Sequence, residues 1–263
     1  MNDNVSVGSF DFVSPEITHP TPLKVSVIIP TLNEGPGIGP TIEEVVEHLS
    51  DPEVIVVDAN SVDDTPKIAA HMGAKVITQQ DLGKAKAITQ ALRRIDQNIR
   101  YLVIIDGDFT YPANHIPKMI EILEKNADIG MVTGNRFSNP KEFIAHFRKI
   151  VSDRYCLGNQ ILAIMHRILN RVMMKDPLTG IRVIRFDLLK DVKIKAKSFD
   201  IEVELNNYIK RKGSKIIEIP IKYRLRLGKK KLQVRDGFTI FVRMATMALE
   251  DISRLLQSSA KNL

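Results

Sequence analysis

The 263-residue chain contains one cysteine, Cys156, and no tryptophan. A lone cysteine excludes an internal disulfide framework and fits a reducing compartment, where a small buried core residue is its simplest use. No run of about 18 apolar residues is free of charge, so no membrane-spanning helix is predicted. Residues 1–23 have neither a basic start nor an apolar block, and Pro15, Pro20 and Pro22 interrupt them. This segment reads as an extended arm rather than a secretion signal. Glycine-rich phosphate loops are missing too: neither G-x-G-x-x-G nor G-x-x-x-x-G-K-[ST] occurs. Classical dinucleotide and P-loop chemistry are thereby disfavoured.

Positive charge is present in excess. The formal net charge of +7 favours an anionic partner, whether nucleotide, nucleic acid or acidic membrane surface. Aromatics make up only 6% of the chain and no RNA-binding motif appears, which argues against a nucleic-acid module. Hydrophobic and charged fractions of 44% and 26% are those of a soluble globular protein.

Apolar runs of strand length alternate with helical patterns. Val25–Ile29, Val54–Val57, Lys75–Thr78, Tyr101–Ile105 and Ile129–Thr133 read as strands. Between them, helices are predicted near 41–49, 66–72, 83–95 and 112–126. Such alternation implies right-handed crossovers and a mostly parallel α/β sheet, and strands without polar alternation imply helices on both of its faces. Open sheets of this kind bind ligands at the carboxyl ends of their strands.

Three strand ends carry polar side chains: Asn33 and Glu34, then Asp58, Asn60 and Ser61, then Asp106 and Asp108. The last pair matters most. Gly107 lets the backbone bend between two carboxylates, which can then converge on a hard cation such as Mg²⁺ or Mn²⁺. A nucleoside diphosphate held through that cation, with amides and carboxylates reading base and ribose, is the ligand class that remains.

Later segments add charge. The stretch 143–175 has helical apolar spacing (Phe147, Ile150, Val151, Ile161, Leu162, Met165, Ile168, Leu169) with Arg148, Lys149, Arg154, Arg167, Arg171 and Lys175 against one acid, Asp153. It can pack on the sheet or lie on an anionic bilayer. A turn, Asp176–Gly180, precedes a strand near 181–186 that carries Arg182. In a helix from Asp200 to Arg211, Glu202 and Glu204 are too close in sequence to share a face. Arg224–Arg235 holds six basic residues and no acid in twelve, suited to phosphates. Positions 238, 241, 242, 245, 248, 249, 252, 255 and 256 form an amphipathic stripe that can bury against the domain or make a monotopic membrane contact, in which Phe241, Met244 and Met247 reach the interface and Arg243 stays near the headgroups.

Several motifs occur together and in order: Val27-Ile-Ile-Pro-Thr-Leu-Asn-Glu34, Val56-Val-Asp-Ala-Asn-Ser-Val-Asp-Asp-Thr65, Gly83-Lys84, Asp106-Gly-Asp108, Gly134-Asn-Arg136, Asp176-Pro-Leu-Thr-Gly180 and Ile219-Pro-Ile-Lys-Tyr223. In these the chain resembles the GT-A glycosyltransferases of family 2, and within them the polyprenyl (dolichyl) phosphate mannosyl- and glucosyltransferases. The resemblance spans about residues 24–232 and implies a Rossmann-like GT-A domain, followed by an amphipathic helical segment at 233–263. It also implies inverting, metal-dependent transfer of a hexose from a nucleotide sugar such as GDP-mannose or UDP-glucose to a polyprenyl phosphate. On this resemblance Pro30, Thr31, Asn33, Glu34, Asp58, Ser61, Lys84, Asp106 and Gly107 hold the nucleotide sugar, and Asp106 and Asp108 the metal. Arg136, Arg226, Lys229 and Lys231 would offset phosphate repulsion, and the turn at Asp176–Gly180 borders the acceptor, which makes Asp176 and Arg182 site candidates; Glu202 is a separate candidate for touching substrate. One departure is Ala59, where the family often has a second aspartate. Relatives often carry transmembrane segments after this point, so peripheral contact with the cytoplasmic face of a membrane is expected here. The rival expectations are a soluble enzyme of the same fold with Asp176 or Glu202 as general base toward a small alcohol or phosphoacid, and a non-catalytic nucleotide- or RNA-binding module.

Overall fold

A computed structural model describes residues 24–137, 154–229, 231 and 233–261. The arm at 1–23 and the first part of the basic helical stretch, with Phe147, Arg148, Lys149, Ile150, Val151 and Asp153, lie outside the described residues, as do the side chains of Arg154 and Cys156. The strands are β1 (Val25–Thr31), β2 (Glu53–Asp58), β3 (Lys75–Thr78), β4 (Tyr101–Ile104), β5 (Ile129–Asn135), β6 (Arg182–Arg185) and β7 (Lys215–Pro220). The helices are α1 (Gly35–His48), α2 (Thr65–His71), α3 (Lys84–Leu92), α4 (Ile116–Lys125), α5 (Arg154–Asn170), α6 (Ile201–Arg211) and α7 (Val234–Lys261).

One seven-stranded sheet runs in the order β3-β2-β1-β4-β6-β5-β7. All pairs are parallel except those of β6, which lies antiparallel between β4 and β5. Strand side chains alternate between faces. Val27, Ile29, Val56 and Val103 therefore pack with Ile38, Ile42 and Met119 from α1 and α4. Ile28, Ile55, Leu102 and Ile104 face the other way, onto Ile88 of α3 and Ile201 and Leu205 of α6. Both faces are covered, as the unbroken apolar runs require.

Boundaries moved where local chemistry decides them. A short 3₁₀ turn, Ala113–His115, takes the place of the first turn of the helix expected from Pro112. Asp63, two residues before α2, accepts hydrogen bonds from the backbone N–H and hydroxyl of Thr65. β7 was not anticipated, because its Lys-Ile-Ile-Glu-Ile-Pro pattern is only half-buried at the sheet edge, where Pro220 costs no ladder bond.

A second core joins α5, α6 and α7 through Leu162, Val203, Ile240, Met244 and Met247. Met244 and Met247, expected at a membrane interface, are 0% and 1% exposed, and Arg243 is paired with Glu204 at 2.9 Å. The stripe read from the sequence is the outer one: Phe238, Val242, Leu249 and Ile252 face solvent. Among the described residues, no helix is long and apolar enough to cross a membrane.

His166 is fully buried in this bundle, with Nδ1 2.9 Å from Asn170 Oδ1. Burial pushes its pKa from 6.5 down to about 4; the Asn170 contact opposes the shift, and Lys210 and Arg182 add to it. The unfolded chain takes up this proton below pH 6.5 and the folded chain only near pH 4. Stability from this group is thus complete above pH 6.5 and falls by about 3 kcal/mol as the pH drops to 4. Urea unfolding across that window is expected to show a flatter pH dependence in His166→Gln. An unchanged slope would mean that His166 charges in the folded state.

Candidate active site

The carboxyl ends of β1, β2 and β4 open on a cleft of about 620 Å³. Its floor is the turn after β4, where Asp106, Gly107 and Asp108 all line the space. The first turn of α1 presses on this turn: a Cβ at Gly37 would lie 2.7 Å from the Gly107 carbonyl. Gly180, which closes the Asp-Pro-Leu-Thr-Gly turn, likewise stands where any side chain would collide with the Asp106 carboxylate. Phe109 holds φ +65, an unfavourable backbone for an aromatic residue, and its ring carries the Arg224 guanidinium at 4.3 Å.

Each acid lining the cleft faces a cation. Asp106 Oδ1 lies 2.6 Å from Lys84 Nζ, and the same ammonium lies 2.6 Å from Glu202 Oε1. Burial disfavours the Lys84 charge, but Asp106 and Glu202 outweigh it and raise its pKa. Asp108 is ion-paired with Arg226 and accepts from the Thr110 N–H and hydroxyl at 3.0 and 2.6 Å. Burial raises the Asp108 pKa, repulsion from Asp106 adds to this, and Arg226 pulls it back. Glu34 meets Arg226 at 3.0 Å and Lys231 at 2.8 Å; burial still holds its carboxyl above the ordinary range. The basic segment after β7 is thus folded over the acids, with the Leu227 N–H bonded to the Asp108 carbonyl at 3.2 Å.

Among the residues expected at the site, Pro30, Thr31, Glu34, Lys84, Asp106, Gly107, Asp108, Arg136, Glu202, Arg226 and Lys231 line the cleft. Others stand behind it. Asp58 accepts from Thr31 and Ser61 hydroxyls at 3.1 and 2.5 Å and from the Ser61 N–H at 2.8 Å. The Ser61 hydroxyl receives the Asn33 N–H at 2.7 Å, and Asn33 Oδ1 receives the Val62 N–H at 2.8 Å. Asn33, Asp58 and Ser61 lock the β1 and β2 loops together, whereas Ala59 borders the cleft itself. Lys229 is exposed and contributes its carbonyl to Arg226 at 3.0 Å.

Asp176 is not at the cleft surface. It is 1% exposed and grips Arg136 bidentately at 2.8 and 2.7 Å, so it buttresses that arginine. Arg182 is buried beneath, donating to Thr179 O at 2.7 Å and Asn206 Oδ1 at 3.1 Å. Glu204, as its spacing from Glu202 required, points elsewhere, accepting the Lys195 and Ala196 N–H groups. Gln79 was missed: it follows β3 and donates to the Gly83 carbonyl at 2.8 Å, a fourth strand end obeying the same rule. Tyr111 and Tyr223 form an edge-to-face pair, 5.2 Å between centroids, at the wall of the cleft. Leu178 of the Asp-Pro-Leu-Thr-Gly turn supplies an apolar side together with Phe199 and Ile240, which no motif announced.

The lining holds four carboxylates (Glu34, Asp106, Asp108 and Glu202) against Lys84, Arg226 and Lys231; Arg136 and Arg224 also line it but are bound to Asp176 and Glu44. An anionic ligand entering this balance meets a small surplus of negative charge. A family model for glycosyl transferase family 2 matches residues 26–192, the span that builds this floor and its supports. The chain belongs to glycosyl transferase family 2.

This family-2 glycosyltransferase is 30% identical to a dolichyl-phosphate hexose transferase of Haloferax volcanii, over 88% of this chain and 96% of that protein. It is 28% identical to a dolichol-phosphate mannosyltransferase of Pyrococcus furiosus, over 83% of this chain and 61% of that protein. Its fold matches glucosyl-3-phosphoglycerate synthase from Mycobacterium tuberculosis in complex with UDP, with a TM-score of 0.65 at 20% identity, covering 86% of this chain and 80% of that one. The same synthase in complex with Mn²⁺, UDP and glucosyl-3-phosphoglycerate gives a TM-score of 0.62 at 21% identity, over 86% of this chain and 78% of that one. The mixed sheet and doubly covered core are those of the GT-A fold. The isolated RNA-binding reading of the basic segment is set aside: Arg224, Arg226 and Lys231 face Glu44, Asp108 and Glu34 rather than an open surface.

Proposed function

We propose that this enzyme transfers a hexose from a nucleoside-diphosphate sugar to a polyprenyl phosphate, by direct displacement and with inversion at the anomeric carbon. The observation that carries this reading is the state of the acids. Every carboxylate lining the cleft is ion-paired, and Asp176 is spent on Arg136. Among the described residues, no carboxylate that lines the cleft is left without an ion pair to act as a general base. A hydroxyl acceptor needs one; a phosphate monoester does not, because it is already anionic near neutral pH. The Haloferax and Pyrococcus relatives, named for dolichyl and dolichol phosphate, support the same acceptor class.

The donor set fits a divalent cation. Asp106 and Asp108 offer hard oxygen ligands on one turn; burial and, after it, repulsion from Asp106 raise the Asp108 pKa, and positive charge relieves that repulsion. Among the described residues no third acidic, histidine or cysteine side chain completes a protein-only site. Mg²⁺ or Mn²⁺ held by these two carboxylates would draw its other ligands from the donor diphosphate, as such ions commonly do. When bound it would supply Lewis acidity toward the departing diphosphate.

The chain's own groups do the rest. Lys84 keeps Asp106 oriented. Arg226 and Lys231, carried on one segment beside Asp108 and Glu34, are the cations that can turn to incoming phosphates and offset repulsion between donor and acceptor. The test is to incubate the enzyme with a panel of labelled nucleotide sugars, with and without polyprenyl phosphate, Mg²⁺ or Mn²⁺. Label is expected in the organic phase only when a lipid phosphate and a divalent cation are both present. Transfer to water-soluble alcohols alone, or equal transfer in chelator, would overturn the acceptor and the metal respectively.

A further inference from the structure

A second cavity, of about 370 Å³, opens at the opposite edge of the sheet from the active cleft, where β1 and β4 begin. Helix α3 starts at Lys84 beside the cleft and ends here with Leu92, while β6, antiparallel to β4, delivers Phe186 to the same place. No residue that lines this cavity also lines the cleft. Its floor is apolar: Phe186 and Leu189 are buried, and Leu92, Val192 and Ile194 pack half-buried around them.

Its rim is cationic. Arg93, Lys190 and Lys193 line it and are exposed, and none has an ion pair or side-chain hydrogen bond among the described residues. Asp187 and Asp191, close by in sequence, do not line it. The carbonyls at the end of α3, which would repel an anion, are covered by Gln97, whose Nε2 donates to Leu92 O at 3.4 Å and Ile95 O at 3.2 Å. Unpaired cations around an apolar floor select a ligand that is both acidic and apolar.

The chain itself carries such a segment. Residues 1–23 hold Asp3, Asp11 and Glu16 and no lysine or arginine, in a chain whose net charge is +7, and Phe10-Asp11-Phe12-Val13 sets an acid between two phenylalanines. The arm is also rooted beside the cavity. Lys24 O accepts the Arg100 N–H at 2.9 Å, and Arg100 O accepts the Phe186 N–H at 3.1 Å. Two strand spacings, about 10 Å, therefore separate the root of the arm from the cavity floor. Residues 14–23 between Val13 and Lys24 can span up to about 35 Å when extended, so the tether is long enough. A tether this short also sets a local concentration on the order of millimolar, which favours the chain's own segment over a free one. We propose that this cavity is the docking site of residues 10–16, with a phenylalanine on the floor and Asp11 and Glu16 at the rim.

Chymotrypsin cleavage after Phe10 and Phe12 in the full native chain tests it, because cleavage follows the undocked fraction when docking is fast. Each rate is divided by that of the matching free peptide, so that a changed cleavage sequence does not count. The parent is expected to be protected. Lys190→Glu with Lys193→Glu, both at exposed positions, is expected to speed cleavage about tenfold while the melting temperature stays put. Asp11→Lys with Glu16→Lys should have the same effect, and combining all four substitutions should bring protection back. A parent chain cut as fast as the free peptide, or a fourfold variant that stays unprotected, would overturn the proposal. So would protection that disappears on dilution, since the segment in the cavity would then belong to a second copy.

Discussion

Asp108→Asn is expected to lower the turnover of sugar transfer by about a thousandfold, with the melting temperature nearly unmoved. Asparagine preserves the shape of the side chain and an oxygen for the Thr110 N–H and hydroxyl, now at 3.0 and 2.6 Å. What it removes is charge. Half of the carboxylate pair is lost for a divalent cation, while Arg226 keeps Glu34 at 3.0 Å and is not stranded. The folded state also sheds a cost, since burial and Asp106 both disfavour the Asp108 carboxylate. Activity and stability should therefore move apart, the behaviour of a residue placed for chemistry rather than for packing. The decisive measurements are turnover at saturating donor, Mn²⁺ affinity by paramagnetic resonance, and thermal unfolding. Undiminished turnover with undiminished Mn²⁺ binding would remove Asp108 from the metal site.

The floor of this site was legible because local pattern fixes it. An apolar run sets where β4 ends, so Asp106 and Asp108 had to surface at the sheet's edge, and β1 delivered Thr31 and Glu34 by the same logic. Orientation within a loop is not local. Asp58 turns back to Thr31 and Ser61, leaving the cleft wall to Ala59, because the two loops satisfy each other's polar groups before any ligand arrives. Asp176 looked like a border residue and is a buried strut, a fact set by Arg136 forty positions earlier. The α7 stripe was read with the right period but cannot by itself say which side turns inward. Ile240, Met244 and Met247 claimed the core, and the more regular outer stripe was left outside. β3 was read to its bounds, yet Gln79, one residue past its end, went unnoticed; β7 was under-read because an edge strand buries too little for its pattern to speak.

Lys84→Met is expected to cost about 3–5 kcal/mol of stability, because it strands charge rather than merely deleting a contact. The Lys84 ammonium holds Asp106 and Glu202 at 2.6 Å each, with its own side chain 9% exposed and that of Glu202 6% exposed. Without it two carboxylates share a largely dry space, and Glu202 already has one oxygen, Oε2, with no hydrogen-bond partner. For a chain of this length the loss corresponds to a fall of roughly 5–10 °C in melting temperature. Glu202→Gln alone should cost less, since Lys84 keeps Asp106. In the double variant much of the penalty should return, as removing the second like charge leaves a neutral amide beside methionine. That non-additivity, read from a double-mutant cycle, reports the direct coupling of the pair. Transfer should fall in Lys84→Met as well, since Asp106 loses the group that orients it. Were Lys84 instead only a ligand for the donor diphosphate, the substitution would raise KM for the nucleotide sugar and leave thermal unfolding where it was, and the buried bridge would have no part in holding the floor of the cleft.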